Sequence, residues 1–107
     1  MSDLDPDRIY NQLVEAGEEW VDKDAAANLL EETKKTLLAE LMGGFQGSNA
    51  ERERAALADT TYKHHIKTMT AARKEANKAK VRYESMKVLA ELRRTQASTR
   101  RAEMMLR

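Results

Sequence analysis

Residues 50–107 contain no proline and no glycine, and along them Tyr62, Met69, Ala76, Tyr83, Ala90, Ala97 and Met104 recur every seven residues. The positions three residues on are His65, Ala72, Ala79, Met86, Arg93 and Arg100. A seven-residue apolar repeat marks a helix whose one face packs on another helix. The fold class it predicts is all-α, with short N-terminal helices packed on a long, coiled-coil-like C-terminal helix. Both seam positions are apolar from Met69 to Met86 and only one of the two is apolar beyond. Alanines at the centre of the seam allow a partner helix to approach closely. Tyr62, Met69, Ala72, Ala76, Ala79, Tyr83, Met86 and Ala90 are the candidate self-association residues.

The N-terminal part reads as helical too. Asp5 suits a cap, Pro6 the first helical position, and Asp7 the positive end of the helix dipole. Ile9, Leu13, Ala16 and Trp20 then form one helical stripe, on which Trp20 is a core anchor. Gly17 lies inside that stripe and weakens it by roughly 1 kcal/mol relative to alanine. A second start at Asp22 or Asp24 gives two expected helices, 6–19 and 24–42, distinct or fused by a bend. "GGFQGSN" is the clearest break, a glycine-rich turn over 43–49. Ser48 with Glu51 three residues later forms a capping-box pattern that opens the next helix. Asp59 or Thr60 suits a local break, so residues 50–107 make either one long basic helix or a short helix and a long one. The whole is read as one helical domain, residues 1–107.

Length then bears on assembly. Residues 61–105 make a rod of about 65 Å, whereas 24–42 cover only about 28 Å. Short N-terminal helices leave part of the seam bare, which favours a homo-oligomer, most simply a dimer.

Composition narrows the chemistry. The 107 residues include no cysteine, so disulfides, thiolate metal sites and cysteine nucleophiles are excluded. The only histidines, His64 and His65, are adjacent and diverge by about 100° on a helix, and no HExxH is present. The expectation is a seam position for His65, a solvated His64, and no metal or cofactor. Adjacent carboxylates such as Glu18–Glu19 and Glu31–Glu32 diverge in the same way, and the glycines match neither GxGxxG nor a P-loop, so no enzyme is expected. No run of 18 apolar residues occurs, and the first residues are acidic, which predicts a cytoplasmic chain with no membrane span.

The net charge of +1 conceals a split. Residues 1–50 carry four Lys/Arg against eleven Asp/Glu, a balance of −7, and residues 51–107 carry fifteen against seven, a balance of +8. Such halves either neutralise each other or leave the basic half for a polyanion. On the long helix Arg73, Lys80, Lys87 and Arg94 are seven apart, beside a second file of Lys67, Lys74 and Arg101. Lys67, Lys74, Lys80, Lys87, Arg93, Arg94, Arg100 and Arg101 are the candidate nucleic-acid contacts. Six phosphate contacts would give a log–log salt slope near −5, at about 0.9 per phosphate. Charged coiled-coil flanks are also routinely solvated or paired across the seam. No aromatic interleaving or reader motif is evident, so any nucleic-acid contact should be non-specific. The competing class is a protein-interaction module, an inhibitor of a host enzyme or an adaptor, using the methionine- and leucine-rich strips.

Three fragments, the "ERERAALAD…Y" opening, the "A…EAN…RY" middle and the "ELRRTQAS" end, resemble small helical proteins encoded by tailed phages and prophages. The likeness covers residues 50–104, with a weaker one over the leucine-rich 25–42. It implies a phage accessory protein, in the host cytoplasm, of the kind grouped with recombination and replication genes. It implies no catalytic residues.

Overall fold

A computed structural model describes residues 5–106 and contains three helices: α1 (Pro6–Gly43), α2 (Asn49–Ala58) and α3 (Thr60–Met105). Among the described residues 92% are helical and none is in a strand.

Local capping chemistry sets the boundaries. The Asp5 carboxylate accepts from the Asp7 N–H at 3.0 Å, with Pro6 at the first helical position. The α1–α2 turn ends at Ser48, whose hydroxyl accepts from the Glu51 N–H and donates to the Glu51 carboxylate, both at 3.2 Å. Gly47 precedes it with φ +118°, a left-handed conformation, and a Cβ there would lie 2.7 Å from Glu51 Oε2. Arg52 reaches back to donate to the carbonyl of Met42 at 3.0 Å, which also accepts from the Phe45 N–H at 3.2 Å, so the last carbonyls of α1 are satisfied from the turn.

One expectation is corrected and one alternative is settled. The N-terminal segment is one helix of 38 residues rather than two short ones. Gly17 does not break it, because its missing side chain makes room: a Cβ there would lie 3.2 Å from Tyr83 Cε1. Of the two readings of the basic half, the structure shows the short helix followed by the long one, and not the single helix from 50 to 107. Asp59 ends α2 in extended geometry (φ −66°, ψ 138°), and its carboxylate then accepts from the Thr61 N–H at 2.8 Å to cap α3.

The chain divides into two compact units, a central one (Val21–Asn77) and a terminal one (Met1–Trp20 with Lys78–Arg107). In both, α1 and α3 segments pack antiparallel. In the central unit, His65 Nε2 lies 2.8 Å from the carbonyl oxygen of Leu30; since a carbonyl only accepts, the Nε2–H tautomer donates. Arg73 meets Asp24 and Glu31 farther along the same pair of helices. In the terminal unit Glu19 meets Arg82, while Ile9 and Leu13 line a groove with Ala90 and Ala97.

Alanine dominates what is buried. Among the described residues, Ala27, Ala56 and Ala76 are the buried apolar residues of the central unit and Ala16 and Ala79 those of the terminal unit, and no large side chain is fully enclosed. Small residues let helix axes come close, so backbone proximity substitutes for bulky interdigitation. The larger seam residues Tyr62, Met69, Tyr83 and Met86, with Ala72 and Ala90, are half-buried. The seam positions thus pack within the single chain, Ala76 to 1% exposure and Ala79 to 2%. This bears on the length argument for a dimer: α1 spans about 57 Å and α3 about 69 Å, so α1 is not the short cover that argument assumed.

Candidate nucleic-acid interface

The repeat of Arg73, Lys80, Lys87 and Arg94 runs along one flank of the α3 seam, and its surroundings differ from one unit to the other. In the central unit Arg73 is fully engaged. Its Nε and Nη2 donate to the two carboxylate oxygens of Glu31 at 2.9 Å each, a bidentate fork. Its Nη1 donates to Asp24 Oδ1 and its Nη2 to Asn28 Oδ1, both at 2.6 Å. The hydrogen bond from Arg73, reinforced by its charge and opposed by partial burial, holds the Glu31 carboxyl below the usual carboxylate range. The same bonds, from Glu31 first and Asp24 second, raise the guanidinium pKa further. This is the neutralisation between halves that the charge split allowed, and it removes Arg73 as a free cation. Lys67 and Lys74 of the second file are exposed in this unit.

The terminal unit repeats the spacing without the acids. Lys80, Lys87 and Arg94 are exposed, and among the described residues no carboxylate lies within 4 Å of them. Aromatic rings stand where the central unit has acids. Lys80 Nζ is 5.7 Å from the centroid of the Trp20 ring and Lys87 Nζ is 5.3 Å from that of Tyr83. These are cation–π distances, which favour the ammonium while leaving it charged and wet. Trp20 and Tyr83 touch each other in a tilted pair, with centroids 5.7 Å apart and planes at 31°. The acids that α1 contributes here lie elsewhere: Glu15 and Glu18 are exposed about 200° around the helix from Leu13 and Ala16, and Glu19 binds Arg82 at 3.1 Å.

Beyond Tyr83 the flank opens into a groove of about 480 Å³. Pro6, Ile9, Leu13, Ala90 and Ala97 give it an apolar floor, Tyr10 stands at its side, and Lys87, Glu91, Arg93 and Arg94 form its polar rim. Of the rim cations, Lys87 and Arg94 have no carboxylate within 4 Å among the described residues. A second, smaller pocket of about 30 Å³ lies on the same helix pair between Gln12 and Leu89. Past the groove, residues 98–106 are exposed, Arg100 and Arg101 among them.

The structure therefore brings Lys80, Lys87, Arg93 and Arg94 together with aromatic side chains, leaves Arg100 and Arg101 on an exposed helix end, and sets Lys67 and Lys74 in the other unit. The sequence expectation of no aromatic interleaving is corrected. Trp20 comes from α1 and Lys80 from α3, so that contact is invisible in any local window, whereas Tyr83 and Lys87 are four residues apart on α3 and their spacing is legible in the sequence. Tyr10 itself was missed because it lies off the Ile9–Leu13–Ala16 stripe; a tyrosine on the outside of an apolar stripe is the signal that marks it.

Among the described residues no group of three or more His, Cys, Asp or Glu side chains is placed to hold a metal ion, and no helix is long and apolar enough to cross a membrane. No protein-family model matches the chain, and no curated protein or solved structure is significantly similar to it.

Proposed function

We propose that the chain is a non-enzymatic nucleic-acid-binding accessory protein that grips phosphates through the terminal unit. The observation that carries this reading is the file of Lys80, Lys87 and Arg94, free of carboxylates within the described residues and interleaved with Trp20, Tyr83 and Tyr10. Cations on an extended helical face supply affinity without base-edge readout, so binding is independent of sequence. Arg101 is seven residues past Arg94 and so continues this file rather than that of Lys67 and Lys74, and four contacts give a log–log salt slope of about −3 on single strands. The resemblance of residues 50–104 to phage helical proteins grouped with recombination genes supports the same reading. Fluorescence anisotropy with labelled DNA and RNA oligonucleotides tests it: micromolar binding at about 50 mM salt is expected, and no binding to any of them would sink it.

A second reading, a protein-interaction module, is favoured by one observation. Val81, Val88 and Leu92 are exposed at spacings of seven and four residues, which puts them on one side of α3. A second copy of this chain is the simplest occupant of that strip, and sedimentation of the protein and of Val88→Glu separates monomer from dimer. A partner captured from lysate at fixed stoichiometry after nuclease treatment would also favour this class.

A further inference from the structure

The groove beside Tyr10 bears on which form of nucleic acid the terminal unit takes, an inference that rests on the function proposed above. We infer that the preferred ligand is single-stranded, with one unpaired base laid against Tyr10 in the groove and the flanking phosphates on Lys87 and Arg94.

Three observations converge on this. Tyr10 is 66% exposed and belongs to a groove wall, so its ring is available to a ligand instead of being consumed by packing. The groove's volume of about 480 Å³ lies within the range of small-ligand sites, large enough for a nucleobase. Its floor of Pro6, Ile9 and Leu13 is apolar, as the face of a base is, while its rim carries Lys87, Arg93 and Arg94. An apolar slot alone would accept many occupants. A slot with a positive rim and an exposed ring selects one that is flat on its faces and anionic along its edge.

A duplex meets only half of that description. Its phosphates can reach Lys80, Lys87, Arg94 and Arg101, but its bases are paired and stacked, and extruding one costs a few kcal/mol. A single strand offers its bases freely, and stacking on an aromatic side chain is tolerant of base identity. Both forms therefore bind through the cations and only the single strand gains from the groove. An acidic, apolar protein segment is the other occupant with complementary chemistry, and the experiment separates the two.

The test is competition-free anisotropy at about 100 mM salt with one labelled 20-nucleotide strand and the same strand annealed to its complement. The expected result is single-strand binding about tenfold tighter than duplex binding. Tyr10→Ala should remove that preference by weakening the single strand about tenfold while leaving the duplex unchanged, and Tyr10→Phe should keep it. Because Tyr10 is exposed, the variants should retain wild-type helical circular dichroism. Equal affinities for the two forms, or a loss in Tyr10→Ala that falls equally on both, would overturn the inference and leave nucleic-acid binding standing. Binding to neither form overturns both, and points to the protein partner.

Discussion

The central and terminal units carry cations from the same heptad file on the same helix, and use them in opposite ways. Arg73 faces Asp24, Asn28 and Glu31 and is consumed in a closed cluster. Lys80 and Lys87 stand over Trp20 and Tyr83, which attract a cation without neutralising it, and Arg94 lines a groove with Tyr10. The difference comes from which α1 residues meet the file: Asp24, Asn28 and Glu31 meet Arg73, whereas Trp20 meets Lys80 and the nearby acid Glu19 binds Arg82 instead. A charge repeat is thus a structural clamp or a binding face according to the helix opposite. Counting charges along α3 alone cannot tell the two apart.

The comparison can be broken most sharply at the cations themselves. Lys80→Gln/Lys87→Gln/Arg94→Gln should weaken nucleic-acid binding by about 100-fold at 0.1 M salt, since each lost single-strand phosphate contact removes about 0.7 of a decade there. Thermal unfolding should move little, because none of the three is in an ion pair with the described residues. A large drop in unfolding temperature would mean that these cations hold the fold together as Arg73 does.

Gly17→Val comes next. The added methyls enter the space of the Tyr83 ring, already 3.2 Å from where a Cβ would sit. Overpacking of this kind costs about 2 kcal/mol, measurable by urea unfolding, even though glycine inside a helix is intrinsically unfavourable. A neutral or stabilising result would show that the ring can step aside and that Gly17 is not needed for close approach.

A smaller effect is expected from Arg73→Lys, which keeps the charge but cannot make the fork to Glu31. Its unfolding midpoint should fall while its affinity for nucleic acid stays that of the wild type. The pH dependence of the cluster has a definite sign. Glu31 is held below the usual carboxylate range when folded, so its contribution is fully present above the unfolded value, about 4.3, and is lost as pH falls through the lower folded value. The stability gap between wild type and Glu31→Gln should therefore be present at pH 7 and close on acidification. A gap that stays constant would place the effect outside the ionised pair.

What the sequence disclosed, and what it hid, follows the range of the interactions. Asp5–Pro6, Ser48–Glu51 and Asp59 cap helices through groups two or three residues away, so their patterns are visible in a short window. The seam from Tyr62 to Ala90 is equally visible because a heptad is periodic along one helix. Its cover within the chain was not: reading Asp22 or Asp24 as a second helix start divided a segment that is one continuous helix. The reason for Gly17 is Tyr83, distant in sequence and close in space. The contact of Trp20 with Lys80 was hidden for the same reason, since the two lie on different helices, whereas Tyr83 and Lys87 are four residues apart on α3.

The dependence of affinity on salt tests the asymmetry between the two units most directly. Plotted as log K against log salt for a single strand, the slope should be about −3 for the wild type and should fall in magnitude by about 2 for Lys80→Gln/Lys87→Gln/Arg94→Gln. Arg73→Gln should leave the slope unchanged, because that cation is already paired with Asp24 and Glu31. A slope that falls as much for Arg73→Gln as for one of the terminal-unit cations, or that does not fall for the triple variant, would contradict the account.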